Sequence, residues 1–62
     1  MKIYNQLISI EVDSGYAADF RRLVLDHRMG LQLALQSKDP TNIKERTEDA
    51  KDLLRMWGVK RL

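Results

Sequence analysis

His27 is the only imidazole in the sequence and so the only candidate general base whose ordinary titration lies near neutral pH. It stands one turn from Leu23 and Leu31, beside an apolar stripe. No serine lies at a spacing that would pair it with a nucleophile, and there is no cysteine. A packed histidine with ordinary hydrogen bonds is the expected role. The acids Glu45, Glu48, Asp49 and Asp52 cluster on one segment, and two of them at helical spacing could grip a divalent cation. Lys44, Arg46, Lys51 and Arg55 interleave with them, and Lys44–Glu48 is an i,i+4 pair. A solvated, charge-mixed face is therefore expected, with no metal and no cofactor.

The basic residues allow one more chemistry. Lys44, Lys51 and Arg55 share one edge of the last segment, and Arg21 and Arg28 line an edge of the middle one. Lys60 and Arg61 lie in the tail, where no acid follows Asp52. If these edges converged and a dimer doubled them, they could contact phosphates. The competing reading is a set of snorkelling side chains beside an apolar seam. Tyr16 and Trp57 fall near one end of the expected fold. They are either core or, if exposed, an aromatic anchor for a protein partner.

Composition narrows the classes. With 62 residues there is room for one domain at most. A chain of this length buries only about 60% of its unfolded surface and needs help to be stable. Disulfides and thiolate metal sites are excluded by the absence of cysteine, and one histidine cannot build a histidine cluster. Association with other polypeptide is the aid that remains. A net charge of +2, with 32% charged residues, is far from a dedicated nucleic-acid surface. No run of about 18 apolar residues or signal-like start occurs, so a cytoplasmic protein without a membrane span is expected.

Three segments must position these groups. Residues 40–57 read as a helix, with Asp39 as N-cap and Pro40 at its first position. Ile43, Thr47, Ala50, Leu53, Leu54 and Trp57 form its stripe. Gly58 is placed to end it in a left-handed turn, with Val59 supplying the apolar contact of a Schellman motif. Residues 15–37 read as a second helix, capped by Asp13 or Ser14, with Tyr16, Phe20, Leu23, Val24, His27, Leu31, Ala34 and Leu35 on one face. Gly30 costs about 1 kcal/mol there relative to alanine and marks close packing or a kink. Leu25, Met29 and Leu33 form a second stripe away from the first. Residues 1–12 are ambiguous. Ile8, Ile10 and Val12 alternate with Leu7, Ser9 and Glu11, and the β-branched content favours a strand or extended segment. Ile3, Leu7 and Ile10 also fit a helix. A lone strand would have to pair with its twin or with another protein's sheet.

The expected architecture is a mainly α, single domain over 1–62. It comprises an antiparallel helical hairpin, a preceding strand and a basic tail at 58–62, assembling as a homodimeric bundle. In outline alone, strand–helix–helix resembles the ribbon-helix-helix repressors, and the hairpin resembles small dimeric bundle proteins of plasmids. Neither strand face is basic and no motif is shared, so no family is assigned. The expected function is that of a non-enzymatic interaction module, a regulator, inhibitor or adaptor of the kind common in phages and mobile elements. Ile8, Ile10, Leu25, Met29 and Leu33 would face a second copy or another protein. The alternative is a dimeric DNA- or RNA-binding regulator using Arg21, Arg28, Lys44, Lys51, Arg55, Lys60 and Arg61.

Overall fold

The computed structural model describes residues 1–59, and these form three α-helices with no strand among them. They are α1 (Lys2–Glu11), α2 (Ala18–Ser37) and α3 (Pro40–Met56). α2 is the central rod, and α1 and α3 pack antiparallel against it on neighbouring flanks. α1 and α3 consequently run in the same direction and meet only slightly. The molecule measures 33 × 17 × 17 Å.

The expected strand over 3–12 is a helix. Ile3, Leu7 and Ile10 lie at offsets of four and three and become the buried face of α1. A strand would have left a row of backbone groups without partners, whereas a helix bonds its own. Burying three large aliphatic side chains contributes about 1.5–3 kcal/mol each, well above the few tenths that β-branching costs a helix. The helix also hides Ile10, at 4% exposure, in the chain's own core. Ile10 is therefore not available to a second copy.

α2 begins at Ala18, later than expected, and no side chain caps it. Asp13 is used in the preceding turn instead, where its Oδ1 accepts from the Gly15 N–H at 2.8 Å. Tyr16 lies in that turn, and its carbonyl accepts from Arg21 Nε at 3.1 Å. Phe20, Val24, Leu31 and Ala34 form the buried face of α2. The helix runs unbroken through Gly30, over which the Arg46 side chain of α3 is laid. Gly30 is therefore not a kink, and a Cβ there would meet Arg46 only at an ordinary 3.7 Å. α2 ends at Lys38, which adopts a left-handed conformation (φ 58°) that costs a residue with a Cβ.

α3 follows its sequence signals closely. Asp39 Oδ1 accepts from the Thr41 N–H at 3.0 Å, and Pro40 opens the helix. Ala50, Leu53 and Leu54 are its buried residues. Gly58 takes φ +76°, the Gly58 N–H donates to the Arg55 carbonyl, and the Val59 N–H donates to Leu54 at 2.9 Å. This is a Schellman ending, and Val59 packs on the core. Among the described residues no helix is long and apolar enough to cross a membrane.

Candidate interaction surfaces

The titratable groups singled out in the sequence are dispersed or already engaged. His27 is half-buried one turn from Val24 and Leu31, and among the described residues no nucleophile bonds its ring. Glu45, Glu48, Asp49 and Asp52 are all exposed on α3. No group of three His, Asp or Glu side chains among the described residues is placed to hold a metal ion.

The basic edges do not merge. Arg28 is clasped by Glu11 across α1 and α2, with Nε to Oε2 at 3.0 Å and Nη2 to Oε1 at 3.1 Å. Its Nη1 donates to Gln32 Oε1 at 2.8 Å, and the Tyr4 hydroxyl donates to the same oxygen at 3.4 Å. The hydrogen bonds to Glu11 are the main cause raising the Arg28 guanidinium above its ordinary range. A bidentate pair of this kind fixes orientation as well as charge. Arg28 thus spends three of its donors within the fold. Arg21 spends Nε on the Tyr16 carbonyl. Arg55 pairs with Asp52 on the solvent side of α3. Lys44 is exposed, and half-buried Lys51 lines a cleft of about 290 Å³ with Met1, Lys2, Ile3, Gln6 and Thr47. Lys60 and Arg61 lie outside the described residues. Glu11 escaped the sequence reading because it is 17 positions from Arg28, beyond any local spacing rule.

What the structure does leave open is apolar. Met29 is 52% exposed and Leu33 66%, while Leu25 is half-buried. At 100° per residue Met29 lies opposite Phe20, so this row forms the outer face of α2. The first dozen residues do not cover it. Ile8, 39% exposed, sits one turn beyond Tyr4 on the flank of α1 that meets α2.

A second surface lies at the end where α1 stops, α2 starts and α3 stops. Phe20 is buried there, stacked on Trp57 with ring centroids 4.9 Å apart. Tyr16 meets the same ring at 5.4 Å in a tilted arrangement. Trp57 is both a core contact and half in solvent, at 49% exposure. Val12, Leu23 and Met56 are also exposed. The stripe on α3 located Trp57, but the protrusion of its outer half depends on where α2 begins. Compared with known protein families, curated proteins and solved structures, the chain matches none.

Proposed function

We propose that this protein is a small non-enzymatic interaction module that self-associates through the outer face of α2 and presents its aromatic end to another protein. One observation carries the reading. The longest helix is apolar on two sides, and the side bearing Met29 and Leu33 stays in water within the single chain. A helix at the surface of a stable monomer needs one apolar stripe only. The small interior gives the second stripe its reason, since a chain of this length gains from burial that a partner supplies. Trp57 and Tyr16, backed by the buried Phe20, suit a regulator, inhibitor or adaptor, because half-exposed aromatics are the usual anchors of protein recognition.

The nucleic-acid reading receives less support. Arg28 and Arg55 are matched by Glu11 and Asp52, and Arg21 holds a loop carbonyl. Among the described residues, the basic side chains without an ion pair are Lys2, Arg21, Arg22, Lys38, Lys44, Arg46 and Lys51, and they are spread over all three helices and the α2–α3 turn, not gathered in a dense stripe.

Sedimentation over a range of micromolar concentrations tests the proposal. The wild-type chain is expected to shift from monomer toward dimer. Leu33→Glu is expected to sediment as monomer with unchanged helical circular dichroism, since the side chain already stands in water. A wild-type chain that remains a folded monomer throughout would overturn the self-association reading. Salt-sensitive binding of a mixed-sequence DNA duplex by that monomer would move the assignment to the nucleic-acid class.

A further inference from the structure

We infer that two copies pair antiparallel along α2, about a two-fold axis passing beside Met29. This inference rests on the self-association reading and adds its geometry and register.

The argument comes from symmetry. In a two-fold contact, residue i meets residue j and j meets i. Antiparallel helices crossing at Met29 bring together positions equally far on either side of it. Four residues away stand Leu25 and Leu33, so each leucine meets the other from the partner copy. Three residues away stand Asp26 and Gln32, and seven away stand Arg22 and Gln36. Offsets of three, four and seven share one helix face. The outer face of α2 is therefore a palindrome in chemistry, with leucine against leucine and each charge against a neutral amide. A glutamine side chain donates to a carboxylate through its NH₂ and accepts from a guanidinium through its oxygen, so both flanking pairs are matched.

Other arrangements lose this match. A parallel, in-register pair would set Arg22 against Arg22 and Asp26 against Asp26, like against like. An antiparallel pair centred on Leu25 would set Met29 against Arg21. One centred on Leu33 would set Met29 against Ser37. Among the antiparallel crossings, only the one at Met29 covers all three apolar residues with apolar residues. α2 spans Ala18–Ser37, so it extends beyond the outermost pair at both ends.

The row Leu25–Met29–Leu33 is an i±4 ridge. Two such ridges interdigitate at a crossing angle near −50°. The contact is then centred on the two turns between Leu25 and Leu33, with the long Arg22 and Gln36 side chains at its rim, and buries less than the roughly 800 Å² per partner of a standard interface. Micromolar association is the expectation.

The chain has no cysteine, so each one introduced is unique. Met29→Cys, Leu25→Cys, Leu33→Cys and a distant control, Glu45→Cys, would be oxidised or treated with a short bis-maleimide at concentrations where the wild type is dimeric. Met29→Cys alone is expected to couple to itself several-fold faster than the control. Leu25→Cys and Leu33→Cys should couple poorly alone and efficiently when mixed. Efficient self-coupling of Leu25→Cys would mean a parallel pair or an antiparallel one centred on Leu25, and either would overturn the register while self-association stands. Dimers in which none of the three α2 positions couples faster than the control would move the interface off this face and overturn the inference. A monomeric wild type would overturn both this inference and the reading beneath it.

Discussion

The clasp on Arg28 illustrates what individual residues contribute. Its bidentate contact with Glu11 and its third bond to Gln32 tie the end of α1 to the middle of α2. Because the partner raises the guanidinium, the arginine side of this pairing stays charged through its ordinary range and is lost as strong alkali removes the proton. The glycines make a sharper pair of tests. A Cβ at Gly30 would meet the Arg46 side chain at 3.7 Å, an ordinary contact, inside a regular helix. Gly30→Ala is therefore expected to stabilise the chain by about 1 kcal/mol. Gly58 has open space around it, but its φ is +76°. Gly58→Ala is expected to cost about 1 kcal/mol through backbone strain alone. Urea denaturation should show shifts of opposite sign in the two variants. A loss of stability in Gly30→Ala would mean that Arg46 cannot give way.

At the level of elements, α1 is the revealing case. Its sequence supports both alternation and helical spacing, and only the hairpin beside it decides. With α2 and α3 already offering a groove for Ile3, Leu7 and Ile10, the helical phase buries all three together. The alternating phase would split them between two faces. Asn5 is exposed, and its N–H donates to the Met1 carbonyl at 3.2 Å. Asn5→Pro removes that bond and introduces a ring clash without disturbing the packed face. It is expected to cost about 3 kcal/mol and to reduce the helical circular dichroism. A variant with unchanged helicity would revive the extended conformation for this segment. The ends of α3, by contrast, follow local rules. Asp39, Pro40 and Gly58 act through neighbours within four residues, which is why they are legible before any tertiary structure is known.

The whole molecule is governed by how little interior it has. Its largest fully buried side chains are Phe20, Leu7, Leu31, Leu54 and Val24. Such a core leaves stability sensitive to anything that binds the folded form. If the outer face of α2 pairs with a second copy, the thermal midpoint should rise with protein concentration, by about 3–5 °C per tenfold once the dimer predominates. Leu33→Glu should abolish that dependence while unfolding near the midpoint of dilute wild-type protein. A midpoint independent of concentration in the wild type would place the chain among self-sufficient small bundles.

Helical class, the hairpin with its short connection at 38–39, the caps of α3 and the second apolar stripe of α2 were all determined by the sequence itself. Each depends on spacing of three or four residues or on the φ of a single position. Tertiary structure alone decided the rest. It turned residues 2–11 into a helix, drew Ile10 inside, joined Arg28 to Glu11 and left Trp57 half in water. Those outcomes depend on which distant surfaces meet, and no local pattern records the position of a neighbour 17 or more residues away.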